Sequence, residues 1–497
     1  MRVEKLDRLV ARLEKECAAS PQAYRLKVIL LASVSYLYVV LISALAVGGV
    51  VWSVLQLMQG EIADAIQVGL LSGLLALFLV PALWVKIPRP QGKVLQESDA
   101  PRLFAMIDTV RRKSGGGRID EVILNDVFNT AIVQIPRLGI LGWHRNVLVI
   151  GLPVLQTLSR KEFAAILAHE FGHLTRRHGK LSTWIYRIRA IWSEIHESFG
   201  GARSFGWLLI TWPLRRYIPY FSAYSFVLAR RDEYEADRLA AAIIGPRTLA
   251  DALVAIAVRR RFVEERFWPD LWGRAGKQPG PPYLPHGSMR TALHLGLTQA
   301  CAEQWLREEL QRNTAFDDTH PCLRDRIRAL DTPCELPPEA ALSAAQSLLG
   351  EKLPALQRYF DDLWLGFNAP RWREQYHKVS SAHETVARWQ SRTPDSLGPA
   401  ELCHLAMALE TLGRNNDALP LLRRAADHPH GPATAALAVA RILHGRNDEA
   451  TIDYLELAMQ RDQALLEEAV LQAAAFYEAR GDVTRAGNYW HRLEALA

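Results

Sequence analysis

Two long uncharged apolar runs dominate the first hundred residues of the chain. One extends from Val28 to Met58 and the other from Ala65 to Val85. Each meets the roughly 20 apolar residues that a helix needs to cross a bilayer. Together they predict a transmembrane helical hairpin with spans at about 28–58 and 65–85. A cleaved signal peptide does not fit, because a polar segment precedes a run far longer than the roughly 7–15 apolar residues of a signal. A third apolar interval, Phe205 to Ala229, is rich in Trp, Tyr, Phe and Leu, but Arg215 and Arg216 interrupt it beside Pro213. Charges at the centre of a span are costly. The interval therefore predicts a pair of helices lying at the membrane interface or dipping into it.

Elsewhere the apolar positions recur at helical spacing. Phe163, Ile166, Leu167 and Leu174 share a face with Glu170 and His173, and Ser159 with Glu162 three residues later makes a capping-box start. The stretch Val147 to Ile150 reads as a strand. From about Pro399 the chain turns Ala- and Leu-rich and repeats itself at Gly413-x4-Ala418, Gly445-x4-Ala450 and Gly481-x4-Ala486. The separations bracket the tetratricopeptide period of about 34 residues. Such arrays form concave surfaces that bind peptides or proteins.

Charge and composition then set the compartment. Hydrophobic residues make up 49% and charged ones 23%, with a net charge of +6, so a folded protein is expected. No basic run interleaved with aromatics occurs, which argues against a nucleic-acid partner. Arg25 and Lys27 precede the first run, and Lys86, Arg89 and Lys93 follow the second, whereas the loop between carries Glu61 and Asp64. The positive-inside rule places the N-terminus and everything after Lys86 in the cytoplasm. The five cysteines are dispersed and form no Cys-x-x-Cys pair, in keeping with a reducing compartment.

The candidate chemistry lies on the helix after Ser159. His169-Glu170-Phe171-Gly172-His173 is an H-E-x-x-H motif. Four residues make just over one turn, so both imidazoles project from one face and can bind one ion, with Glu170 beside them as general base. A catalytic zinc needs a third protein ligand and an open fourth position. His178 is out of register for that ligand and reads as a surface or helix-end histidine. A carboxylate in the segment Arg230 to Asp237 suits better, giving a His2Glu set. Glu233 and Asp237 lie one turn apart, so Glu233 could reach the metal while Asp237 orients the outer nitrogen of a ligand histidine.

The hairpin, His-Glu-Phe-Gly-His, the aromatic interval and Glu-Tyr-Glu-Ala-Asp together resemble the HtpX and CAAX-prenyl-protease type of membrane gluzincin, over roughly residues 30 to 335. The resemblance implies Glu233, rather than Glu235, as the third ligand to one zinc ion per chain, with Asp237 supporting a ligand histidine. It implies that Asn129 to Val133 is an edge strand binding extended substrate, with Asn129 and Ala131 in contact with it. It also implies that His320, in Thr319-His320-Pro321, lies close to the zinc and stabilises the oxyanion or caps the metal. Glu170 would then take a proton from water and return it to the leaving amine.

The expected fold is mainly α. Residues 1–90 form the N-terminal segment and hairpin, and 91–340 a zincin-type α+β peptidase domain with a small antiparallel sheet. Residues 341–398, with Trp364, Trp372 and Trp389, form a helical connector, and 399–497 a TPR-like α-solenoid. The expected function is cleavage of membrane or membrane-associated polypeptides at a multi-pass membrane, the bacterial inner membrane, with the repeats recruiting a protein partner. The rival readings are a non-catalytic scaffold and a narrow-specificity prenyl-protein protease.

Overall fold

The computed structural model describes residues 3–82, 88–136, 144–175, 185, 205–314, 320–389 and 392–494. Lys86, the end of the second expected span, His178 and Thr319 lie outside these. The chain divides into two compact units, Met1–Phe267 with Pro285–Asp362, and Trp268–Leu284 with Leu363–Ala497.

The first unit opens with the amphipathic helix α1 (Val3–Ala19), whose Val10, Leu13 and Cys17 are buried. Helix α2 (Pro21–Met58) starts on a proline, where the missing N–H has no intrahelical partner to lose. Among the described residues it is the one helix long and apolar enough to cross a membrane. Helix α3 (Ile62–Ala82) runs back along it. A β-carbon on Gly69 would lie 3.1 Å from Ser53 Cβ, so the two backbones approach closely there. The apolar stretch described in α3, Ala65–Leu77, is shorter than a full span.

Strands β1 (Lys93–Leu95), β2 (Glu121–Asn125), β3 (Thr130–Pro136) and β4 (His144–Gly151) make one sheet in the order β1-β2-β4-β3, and α4 (Pro101–Ser114) connects β1 to β2. The sheet is mixed rather than antiparallel. Strand β3 reverses the chain but lies outside β4 instead of between β2 and β4, so those two pair in parallel. That arrangement leaves β3 as an edge.

Helix α5 (Leu152–Thr157) leads to α6 (Arg160–Thr175). The capping box forms: the Ser159 N–H donates to Glu162 Oε2 at 2.5 Å and the Glu162 N–H to Ser159 Oγ at 3.2 Å. Arg259 Nη1 donates to the same Glu162 oxygen at 3.0 Å, fixing the start of α6 to the next layer. The aromatic interval is not a pair of helices. From Phe205 it belongs to one 40-residue helix, α7 (Phe205–Ile244), which runs on through Pro213 and Pro219. Each proline removes one backbone hydrogen bond, and packing against α1 and α2 holds the rod together around Tyr217 to Leu228. Helix α8 (Pro246–Phe262) closes the layer over α6, and α10 (Pro285–Gly296), α11 (Gln299–Gln311), α12 (Leu323–Ala329) and α13 (Ala344–Leu349) complete the unit.

The second unit takes in the short α9 (Trp268–Trp272) and most of the long helix α14 (Leu353–Trp389). Trp268, Trp272, Trp364 and Trp372 cluster there, and the buried Trp372 donates its indole N–H to the Gln278 carbonyl at 2.9 Å. Six further helices follow: α15 (Pro399–Thr411), α16 (Asn415–Asp427), α17 (Ala433–Gly445), α18 (Thr451–Arg461), α19 (Leu466–Ala479) and α20 (Val483–Glu494). Each packs on the next around a core of alanine and leucine. Gly413 and Gly481 take left-handed φ of 74° and 73° in the turns, whereas in the middle pair Asn447 (φ 56°) takes that role and Gly445 ends α17.

Candidate metal centre and substrate cleft

Helices α6 and α7 cross where the chain has its smallest residues. A β-carbon on Gly172 would lie 2.8 Å from Ala236 Cα and 3.0 Å from Ala236 Cβ. This close approach brings the two histidines of α6 onto the carboxylates of α7. His173 Nε2 lies 3.1 Å from His169 Nε2 and 3.2 Å from Glu233 Oε1, and His169 Nε2 lies 3.5 Å from Glu233 Oε2. One ligand atom from each of the three residues falls within 4.8 Å of the others.

With both imidazoles neutral and turning their Nε2 lone pairs inward, these atoms are poorly matched without a cation. Two imidazole lone pairs facing one another repel, and the buried Glu233 Oε2 accepts no hydrogen bond. A proton can substitute in part. Burial pushes His173 down, but its hydrogen bond to Glu233 and the charge there outweigh this and raise it to about 9. Burial likewise pushes Glu233 up, and the His173 hydrogen bond with the charges of His169 and Arg326 brings it down to about 2. A divalent ion would satisfy all three groups at once. Two imidazoles and a carboxylate are a zinc donor set, and tetrahedral bonds of about 2.0–2.1 Å put ligand atoms roughly 3.3 Å apart, close to the spacing here.

Asp237 stands behind the centre. Its Oδ1 lies 2.9 Å from His169 Nδ1. A carboxylate only accepts, so Nδ1 carries the proton and Nε2 turns its lone pair to the site. Burial would push the Asp237 carboxyl up, but Arg326 holds it well below the usual range, donating from Nε at 2.8 Å and Nη2 at 2.6 Å. The amino-acid pattern alone gives Arg326 no role. Eighty-nine residues separate it from Asp237, and no local pattern reports such a pairing.

Glu170 faces a cleft of about 1000 Å³ whose walls include Phe128, Asn129 and Thr130, Ile166 and His169 of α6, and Leu253 and Ile256 of α8. Burial raises the Glu170 carboxyl, opposed by the charges of His169 and His173 and by a hydrogen bond from the Ile132 N–H. His320 sits at the cleft rim with its side chain 65% exposed and Nε2 3.5 Å from Glu233 Oε1.

The register of β3 decides which backbone groups face the cleft. Asn129 accepts from the Gly151 N–H at 2.7 Å, and Ala131 lies opposite Val149. Hydrogen-bonded and open pairs alternate in an antiparallel ladder, so Asn129 and Ala131 turn their backbones to β4. Thr130, Ile132 and Gln134 turn theirs to the open edge. Asn129 lines the cleft, while Ala131 is not among its lining residues.

Residues 140–334, which hold the H-E-x-x-H helix, Glu233, Asp237 and His320, match peptidase family M48. The chain carries a peptidase family M48 domain. It is a zinc metallopeptidase, a hydrolase of peptide bonds. Among curated proteins the chain is similar to Protease HtpX of Chromohalobacter salexigens, 22% identical over 53% of this chain and 82% of that one. It is also similar to the Protease HtpX homolog of Methanothermobacter thermautotrophicus, 26% identical over 34% of this chain and 65% of that one. A crystal structure of S. mikatae Ste24p aligns with 62% of this chain and 67% of its own at 16% identity, with a TM-score of 0.26.

Proposed function

We propose that this chain is a membrane-anchored endopeptidase in which His169, His173 and Glu233 hold zinc and Glu170 is the general base. The reading rests on one observation. His169, which lines the cleft beside Glu170, brings a ligand atom within 4.8 Å of ligand atoms of His173 and the buried Glu233, whose Oε2 accepts no hydrogen bond. Zinc held there would polarise a substrate carbonyl and acidify water. Glu170 removes the proton of the attacking water and passes it to the leaving amine, a role suited to a carboxyl raised by burial. Asp237, braced by Arg326, keeps His169 in the binding tautomer. His320 supports the oxyanion from the rim. The open edge of β3 takes substrate as an added strand through Thr130, the Ile132 carbonyl and Gln134, with Asn129 beside it and Ala131 holding the strand to β4.

The substrates we propose are membrane or membrane-associated polypeptides on the cytoplasmic side. The charged flanks Arg25, Lys27, Arg89 and Lys93, set against Glu61 and Asp64, support that orientation, with spans at 28–58 and 65–85. We assign residues 91–340 to the peptidase domain and 341–398 to a connector. The stacked helices of 399–497 are read as TPR-like repeats that recruit a protein partner.

Replacing Glu170 by Gln should leave zinc content intact and lower casein cleavage by at least about a hundredfold. Unchanged cleavage would reject the assignment and favour a scaffold with a structural metal. His169→Ala should lose zinc, and equal zinc in both proteins would reject the ligand set.

A further inference from the structure

The same helix that carries Glu233 also records how far the cleft stands from the bilayer. Helices α2 and α7 run antiparallel in a register fixed by two hydrogen bonds. Tyr24 Oη donates to the Tyr224 carbonyl at 3.0 Å, and Tyr217 Oη donates to the Leu31 carbonyl at 2.6 Å. Seven residues forward along α2 thus match seven residues back along α7. Lys27, three residues after Tyr24, is level with Phe221, three before Tyr224.

Lys27 marks the membrane surface. It is the last charged residue before the apolar run, and beyond it α2 carries no charge as far as Met58. Leu30, Val34, Leu37 and Leu41 are 55%, 61%, 66% and 55% exposed, a stripe long and apolar enough to face lipid. On the other side of the level, α1 lies along α7, with exposed Arg12 and Lys15 and an ion pair between Glu14 and Arg230 at 2.6 Å. Those charges place that stretch of α7 in water.

Glu233 lies twelve residues beyond Phe221 on the same unbroken helix. At 1.5 Å per residue that is about 18 Å, and a tilt of 40° still leaves about 14 Å. An extended chain covers this height in about four to six residues. We propose that the cleft acts on polypeptide held clear of the bilayer. A membrane-inserted substrate is then cut only where the scissile bond lies at least four to six residues beyond the end of its span. This rests on the zinc-peptidase reading above and narrows its substrate class to juxtamembrane tails, loops and unfolded extramembrane segments, as opposed to transmembrane segments.

The test uses the full chain reconstituted in lipid nanodiscs. A ten-residue casein segment that the enzyme cuts as a free peptide is joined to a single membrane span through 0, 2, 4, 6, 10 or 15 Gly/Ser residues and followed by a folded reporter. Cleavage at 0 and 2 residues should be at least tenfold slower than at 10 and 15, and the last two should agree within twofold. Equal rates at every length, with the free peptide cut normally, would overturn the proposed height and leave the peptidase reading standing. Failure to cut the free peptide, or a Glu170→Gln protein that cuts it equally well, would remove both.

Discussion

Gly172→Ala sets two effects of opposite sign against each other. In a helix free of neighbours, alanine is favoured over glycine by about 1 kcal/mol, so propensity alone forecasts a more stable protein. At this crossing the new β-carbon would meet Ala236 at 2.8 Å (Cα), 3.0 Å (Cβ) and 3.2 Å (carbonyl oxygen). Contacts relax near 3.5–4.0 Å, so α6 and α7 must part by about 1 Å. Overpacking of this kind costs about 1–3 kcal/mol, and the net change is a loss of stability of up to about 2 kcal/mol. The metal centre magnifies it. His169 and His173 ride on α6, Glu233 and Asp237 on α7, and the separations of 2.9–3.5 Å between them widen with the helices. Metal-ligand distances tolerate about 0.2 Å, so zinc affinity should fall at least tenfold. A shift of this size should lower kcat/KM on casein about a hundredfold. Chelator competition, casein hydrolysis and thermal unfolding of the purified variant measure the three effects. A rise in Tm with wild-type zinc affinity would refute the reasoning, because it would mean that residue 172 meets no neighbour.

Three further changes probe other parts of the first unit. Arg326→Met strips the bidentate partner from a buried carboxylate, so we expect a loss of about 3–5 kcal/mol and tenfold to hundredfold weaker zinc binding. Denaturation and chelator competition check this, and wild-type zinc affinity in a folded variant would break the link from Arg326 through Asp237 to His169. His286 is fully buried with neither ring nitrogen hydrogen-bonded, and burial lowers it to about 4. The unfolded chain therefore binds the extra proton first, and stability should fall as pH drops from about 6.5 to 4, by roughly 3 kcal/mol in all. His286→Phe should flatten that part of a stability-pH curve, and an unchanged slope would assign it to other groups. Gly151→Ala puts a β-carbon 1.9 Å from the Val127 carbonyl oxygen, so it should displace Val127 to Asn129 at the cleft wall. We expect KM for casein to rise more than kcat falls, with zinc content unchanged, and an unaltered KM would separate these residues from substrate binding.

What the sequence made legible follows from the range of each signal. The capping box of Ser159 and Glu162, the turn-spaced His169 and His173, and the one-turn spacing of Glu233 and Asp237 are local, and each appears where the pattern put it. The long-range partners were not legible. Nothing within a helix repeat says that Gly172 faces Ala236 or that Arg326 closes on Asp237, because these pairings are settled by the crossing of elements far apart in the chain. The β3 register was missed for a related reason. Asn129 lines the cleft as expected of a residue beside substrate, but alternation in a ladder is fixed by its partner strand, and the Gly151–Asn129 hydrogen bond turns the Ala131 backbone to β4 and leaves Thr130 and Ile132 outward. The pair of helices expected at 205–229 failed because prolines and charges were read as breaks, whereas tertiary packing overrides a single lost hydrogen bond.

That last difference has a mechanical consequence. Two helices at the interface would join the membrane to the peptidase layer through a turn, and the cleft could ride at a range of heights. One helix from Phe205 to Ile244 removes that freedom. It is gripped near its middle by Tyr24 and Leu31 of α2, then by Val10, Leu13 and Cys17 of α1. Beyond the grip it delivers Glu233 and Asp237 to the metal centre with no hinge between. An Arg230–Glu14 pair, its arginine buried, and the stacked Tyr24 and Tyr224 rings, 5.6 Å apart, pin the section that leads to the metal ligands. Displacing α7 relative to α2 would therefore move the metal ligands as well. Loosening that grip, for example by Tyr24→Ala, should soften the length threshold for anchored substrates and weaken zinc binding together, whereas a flexible tether would uncouple them.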